Sequence, residues 1–419
     1  MDKQDGAPAQ RLVTLDALRG FAVMGILAMN IVAFAMPEAA YISPKAYGGE
    51  TPADLAGWAI GFILFDGKMR GLFSILFGAS MLLIVERARA SGQDAAAVHY
   101  RRMAWLAVFG FAHYLFLWWG DILFLYACIG CIAFAFRDWE ARRLIRWAVG
   151  LFALGTLLMT LLFGAQLVLA QAADDSGASA AMAAAGRDVI AGYAGLGDAV
   201  DAELALYRGG YLPILAERLG HADTPLLMVL MSALETLPLM MIGMALLRSG
   251  FLAGHWESAA YRRTALRWLP PGLLLTVLLA WVQWRGGFDY LLSLNIFLAW
   301  AQPARLMMTI GYAALLVLLI RRHAASGWIA RVAATGQAAF SNYIGTSLVM
   351  TSLFYGYGLG LFGAVGRLPL YLFVIGASAL MLLWSKPWLA RFRYGPLEWL
   401  WRSLARGAVQ PMRRASPAQ

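Results

Sequence analysis

Residues 101–136 read RRMAWLAVFGFAHYLFLWWGDILFLYACIGCIAFAF, two apolar runs that meet at Trp119-Gly120-Asp121. Beyond Arg102 the stretch holds one histidine, His113, and one acid, Asp121. Each run approaches the roughly 20 residues that carry a helix across a hydrocarbon core of about 30 Å. The reading is a pair of spanning helices, 101–118 and 120–136, joined by a tight turn.

The same texture recurs outward along the chain, at 18–36, 68–87, 143–170, 225–247, 265–283, 303–320, 328–352 and 368–385. The predicted fold class is therefore all-α: a polytopic transmembrane helical bundle of about ten spanning helices. Pro52 to Phe65 is apolar but too short to span and ends at Asp66-Gly67-Lys68, which predicts a re-entrant or interfacial helix. Asp289–Trp300 reads as interfacial as well. Composition agrees. Hydrophobic residues make up 61% of the 419 and charged residues 14%, against about 45–50% and 25% in soluble domains. A soluble enzyme, a coiled coil and a disordered chain are excluded.

The net charge of +10 follows the positive-inside pattern rather than a nucleic-acid surface, since no basic face with readout elements is visible. Arginines collect in alternate connections: Arg87 to Arg102, Arg137 to Arg146, Arg248 to Arg267, Arg321 to Arg331, and the tail from Lys386. That asymmetry predicts a bacterial inner-membrane protein with both termini cytoplasmic. The expected division is a cytoplasmic N-terminus (1–17), an N-terminal membrane half (18–170), an Ala-rich acidic extracytoplasmic excursion (171–224), a C-terminal membrane half (225–385) and a basic aromatic tail (386–419) lying on the inner leaflet.

Four blocks and one isolated acid carry polar residues where lipid-facing helices would have none. Asp16 and Arg19 share a helix face, with Arg11 before them and Asn30 two to three turns beyond. Lys68, Arg70 and Ser74 begin the second spanning helix. His113 is the histidine expected inside a span, His99 being read as part of a connection. Asp121, brought back by the turn at Trp119-Gly120, is placed to orient His113 as a general base. Asn342 and Tyr343 lie in a polar stripe, Asn342 facing with Thr346 and Tyr343 with Ser347. Glu235 stands alone in an apolar helix, which marks it as functional or paired. Cys128 and Cys131 read as packing residues. No metal site is expected, because no second His or Cys has ligand spacing.

These blocks resemble the YeiB-like family of bacterial inner-membrane proteins, whose common domain is of unknown function (domain of unknown function 418). The matching pieces are R-x4-D-x-x-R-G-x4-G-x4-N at Arg11–Asn30, GK-x-R-x-x-F-S-x-x-F-G at Gly67–Gly78, and His113 with Gly120-Asp121 and Tyr126. Gly336 with Ser341-Asn342-Tyr343, and Gly395-Pro396-Leu397-Glu398-Trp399 with Arg402, complete the pattern. The family is similar in fold to membrane acyltransferases, including the lysosomal enzyme that acetylates heparan glucosamine ends. That enzyme carries its catalytic histidine after the first helix. This sequence has none between Pro37 and Asp66, so His113 would take its place.

The resemblance implies an acyl-CoA donor on the cytoplasmic side and a small-molecule or glycan acceptor with a hydroxyl or amine on the other. His113 and Asp121 would be catalytic. Lys68, Arg70, Ser74, Trp119, Asn342, Tyr343 and Glu235 would line the acceptor site, with Lys68 and Arg70 holding an anionic acceptor or the oxyanion. Arg11, Asp16, Arg19 and Asn30 would bind the CoA. Two other classes fit the same residues: a transporter or channel for a small polar metabolite, and a membrane partner docking through its tail. Membrane lipids are expected partners, and Gly- and Ala-rich faces would suit a homodimer.

Overall fold

The computed structural model describes residues 6–414, with side chains from residue 13 onward. The described residues form helices and connections with no β-strand. In order they are α1 (Gly6–Ala35), α2 (Glu38–Ile42), α3 (Pro52–Ile60), α4 (Lys68–Ala90), α5 (Ala95–Phe116), α6 (Leu123–Ala133) and α7 (Ala141–Ala172). The excursion folds as α8 (Ala180–Ala194), α9 (Leu196–Arg208) and α10 (Tyr211–Gly220). The second half contains α11 (Thr224–Arg248), α12 (Ser258–Arg285), α13 (Tyr290–Asn295), α14 (Gln302–Arg322), α15 (Gly327–Gln337), α16 (Ala339–Phe354), α17 (Arg367–Arg391) and α18 (Pro396–Arg406).

Among the described residues, seven segments are long and apolar enough to cross a membrane: Val13–Ala35, Pro52–Ala90, Ala141–Ala172, Thr224–Arg248, Ser258–Arg285, Gln302–Arg322 and Arg367–Arg391. Three of the expected spans differ from these. The 101–118 stretch lies in α5, which starts earlier because Asp94 accepts from the amides of Ala96 and Ala97 and so brings His99, Arg101 and Arg102 into the helix. His99 is thus a buried helical residue, its Nε2 3.1 Å from Gly130 O. The 120–136 stretch is α6, only 11 residues, followed by one 3-10 turn. The 328–352 stretch breaks at Ala338 into α15 and α16.

Two π-helical turns set the polar interior. The first, Gly61–Phe65, closes the short helix α3 before Asp66-Gly67. The second, Ile296–Trp300, links α13 to α14. A π-turn widens the helix and loosens its carbonyls, and in both places a cation from the following helix takes one. Lys68 Nζ donates to Phe62 O at 2.5 Å, and Arg305 Nη1 donates to Phe297 O at 2.7 Å. Gly67 turns between them with φ +69°, and a Cβ there would strike the Arg305 side chain.

The C-terminal helix α18 packs on α5 and α16. At the start of α16 the first amides lack helical acceptors. Glu398 supplies them, accepting from Phe340 N at 2.7 Å and Ser341 N at 3.1 Å, while Ser341 Oγ donates to its other oxygen at 2.5 Å. A carboxylate at a helix N-terminus also meets the positive end of the dipole. The tail helix is thus fastened to the bundle through α5 and α16. We expect Glu398→Ala to cost about 2–3 kcal/mol through these lost bonds, read as a lower melting temperature in detergent, with Glu398→Gln costing less.

Candidate functional site

α5 and α6 run antiparallel, and their register builds the site. Gly110 lies against the start of α6, where a Cβ would sit 2.2 Å from Phe124 N. α5 continues past that point to Phe116, so residues 117–122 must descend along it. This places Asp121 just before α6, where its Oδ1 accepts from Phe124 N at 2.8 Å. The sequence reading put Asp121 on the next helix; it is instead the residue that caps it. Its other oxygen, Oδ2, is 2.7 Å from His113 Nδ1. His113 Nε2 is 2.8 Å from Ser347 Oγ on α16. The expected His113–Asp121 contact therefore forms, with a serine at its far end.

Two cavities flank this cluster. One, of about 400 Å³, lies toward the end of α1 and the start of α4. Its wall includes Asn30, Glu38, Asp66, Arg70, Trp119, Asp121, Glu235, Gln302 and Arg305. Arg70 Nη2 lies 2.7 Å from both oxygens of Glu235, and Gln302 Nε2 adds a bond to Glu235 at 3.2 Å. Arg305 pairs with Asp66, and Tyr41 Oη reaches the same carboxylate at 3.5 Å. Both cations are thus spent on carboxylates, and the wall carries two more acids, Glu38 and the His113-bound Asp121. The cavity is acidic.

The second cavity, of about 370 Å³, lies toward the start of α1 and the end of α4. Arg19, Arg87, Arg102, Arg393 and Arg402 line it against two carboxylates, Asp16 and Glu398. Arg19 is engaged by Asp16 at 2.7 Å and Ser80 Oγ at 2.6 Å. The other four form no ion pair among the described residues. Arg102 stacks over Trp401 at 4.1 Å and its buried Nε has no hydrogen-bond partner. Arg402 lies over Tyr394 at 4.4 Å, and burial holds its guanidinium below its ordinary pKa. Phe73, Phe77, Tyr126, Phe340 and Tyr343 complete the wall. Unpaired guanidinium groups beside aromatic rings form a chamber for an organic anion.

Ile122 belongs to both walls. Tyr126 of the arginine cavity bonds Ser74 Oγ at 2.9 Å, and Ser74 bonds the carbonyl of Arg70 on the acidic side. The partition is about one side chain thick.

The sequence-predicted residues divide across this frame. Arg70, Trp119 and Glu235 reach the acidic cavity, but Arg70 is closed by Glu235, which removes it as a free anchor for an anionic acceptor. Lys68 is buried against Phe62 and lines neither chamber. Ser74 is buried in the partition. Asn342 is consumed by three interhelical bonds, to Thr335 O, Ser385 Oγ and Trp384 Nε1, so it ties helices and lines neither cavity. Tyr343 faces the arginine cavity, opposite to its expected group. Asp16 and Arg19 also line the arginine cavity, whereas Asn30, grouped with them from the sequence, faces the acidic one. The Arg11 side chain lies outside the described residues. Arg87, Arg102, Arg393 and Arg305 were not singled out. For Arg305, a lone cation in an apolar helix was the available signal.

An all-helical bundle with seven membrane-length segments and a polar interior split into two chambers defines a polytopic integral membrane protein. The chain belongs to the YeiB family. It is 32% identical to "Uncharacterized protein YeiB" of Escherichia coli (strain K12), over 96% of this chain and 98% of that protein. It is 30% identical to "Uncharacterized protein YxaH" of Bacillus subtilis (strain 168), over 96% of each. Residues 246–408 match the family described as "Protein of unknown function (DUF418)". No solved structure matches.

Two outcomes test this geometry. Arg70→Gln and Glu235→Gln should each destabilise the protein, and the double variant should cost less than their sum, with a coupling of about 0.5–3 kcal/mol, measured by unfolding in detergent. The second concerns Glu203 on α9, outside the membrane segments, whose Oε2 accepts from Glu38 N at 2.9 Å. Burial pushes Glu203 up from 4.5 to about 7. An acid raised on folding contributes stability below its ordinary pKa and loses it as pH rises through the folded value. Glu203→Gln should therefore flatten the fall in melting temperature between about pH 4.5 and 7.

Proposed function

We propose that this chain is a bacterial inner-membrane acyltransferase that moves an acyl group from acyl-CoA to a hydroxyl or amine acceptor across the bilayer. The observation that carries this reading is the pair of opposed cavities sharing Ile122, with His113 and Asp121 beside the common wall. The donor would enter the arginine cavity, where Arg87, Arg102, Arg393 and Arg402 suit phosphates and the aromatic wall suits an adenine or acyl portion. Arginine enrichment on that end of the bundle supports a cytoplasmic orientation for it and for both termini. The acceptor would enter the acidic cavity, whose carboxylate excess favours a neutral or cationic molecule over the anionic one expected from sequence. His113, held by Asp121, would move the proton.

The same two chambers also support a transporter of small polar metabolites. Substrate accumulation in proteoliposomes without acyl transfer would decide for that reading.

Acyl-CoA should raise the melting temperature of the detergent-purified protein. Binding only the folded state adds about 2.7 kcal/mol at a hundredfold excess over Kd. Arg102→Ala should reduce the shift, since it removes an unpaired donor, and His113→Ala should keep the shift while lowering transfer roughly 10²–10⁴-fold. No shift across CoA, acetyl-CoA and longer acyl-CoAs, with protein that still unfolds cooperatively, would overturn the reading.

A further inference from the structure

We propose that Ser347 is a catalytic nucleophile that carries the acyl group between the two cavities, an inference that rests on the acyltransferase reading above. The geometry is a continuous chain, Asp121 Oδ2 to His113 Nδ1 at 2.7 Å and His113 Nε2 to Ser347 Oγ at 2.8 Å. The carboxylate accepts the Nδ1 proton, which leaves the Nε2 lone pair facing the serine hydroxyl. Asp121 is itself fixed by the Phe124 amide. A serine, an imidazole and an orienting carboxylate in this order are what activates an alcohol for attack on a carbonyl. The three residues come from α16, α5 and the turn before α6, so local helical spacing does not bring them together.

Position supplies the second argument. Ser347 borders a void of about 10 Å³ whose wall also includes Asn30 and Tyr343. Asn30 is shared with the acidic cavity and Tyr343 with the arginine cavity. Ser347 therefore stands between the chambers and belongs to neither. Asn30 is only 7% exposed and borders the same void as Ser347. In this proposal the Asn30 amide is the donor offered to the developing oxyanion. Tyr343 closes the arginine side with two long bonds, one from Ile122 N at 3.3 Å and one to Gly120 O at 3.4 Å. The void has room for about one water, so acylation displaces the Tyr343 ring and favours the shortest acyl chains.

The reaction balances without any further reagent. Ser347 Oγ bonds to the thioester carbonyl carbon as its proton passes to His113 Nε2. The carbon–sulfur bond then breaks, and the CoA sulfur leaves with that proton. The acceptor hydroxyl or amine next gives a proton to His113 and bonds to the same carbon. The ester bond to Ser347 breaks, and the serine recovers the proton.

The test uses the full chain purified in detergent with acetyl-CoA labelled in the acetyl carbonyl. The readouts are thiol release, melting temperature, and mass of the peptide containing Ser347 after an acid quench. The expected result is an acetyl group on Ser347 when no acceptor is present. Ser347→Ala should retain the acetyl-CoA thermal shift yet lose the adduct, and it should lose turnover by on the order of 10³-fold or more. Ser347→Cys should form an adduct that neutral hydroxylamine removes, which a purely positioning hydroxyl would not give. Transfer by Ser347→Ala near the wild-type rate would overturn the serine step, as would turnover by Ser347→Cys with no adduct at that position. If wild-type protein neither shifts with acetyl-CoA nor releases thiol, the acyltransferase reading falls and the serine step falls with it.

Discussion

The pairing of buried charges across helix interfaces is the constraint on which the rest of the bundle depends. A charged side chain in hydrocarbon costs several kcal/mol unless it meets a partner. Arg70 on α4 meets Glu235 on α11, and Arg305 on α14 meets Asp66 at the turn before α4. These two pairs tie the start of α4 and the turn before it to α11 and α14, two of the helices packed against α4. The π-turns belong to the same arrangement. Each exposes a carbonyl that a cation of the next helix occupies, so the breaks in α3 and α13 are held open by Lys68 and Arg305.

With α4 fixed, the two chambers acquire opposite character. Near the start of α4 every arginine on the wall is matched and carboxylates are in excess. Near its end the arginines outnumber the carboxylates, and four are unmatched. A single polypeptide layer, Ile122 with Tyr126 and Tyr343, separates an acidic chamber from a basic one. The short helix α6 makes this possible. Asp121 stays beside His113 because its Oδ1 is held by the Phe124 amide at the start of that helix.

Much of this was legible in residues 101–136. The two apolar runs and the approach of Asp121 to His113 follow from order and hydropathy, whereas the expected tight turn at Trp119-Gly120 is a six-residue connection, 117–122. The capping position of Asp121 and the short length of α6 do not follow, because apolar character continues through a 3-10 turn as readily as through a helix. Lys68 and Asn342 looked like site residues because polar groups in apolar helices are costly. The structure spends both on neighbouring helices, Lys68 on a π-turn carbonyl and Asn342 on three hydrogen bonds. Polarity in a span signals a need for partners, and hydrogen bonding between helices satisfies it as well as a substrate does.

The sequence by itself determined the membrane class, the family and the polar residues that must find partners, since hydropathy and motif spacing are properties of the chain read locally. Tertiary structure alone decided which arginines are matched, that Asn30 faces away from Asp16 and Arg19, and that Ser347 completes the His113–Asp121 pair. The reason is separation along the chain. Arg70 and Glu235 are 165 residues apart, Asp66 and Arg305 are 239, and His113 and Ser347 are 234. Only the packing of the bundle brings such residues within bonding distance.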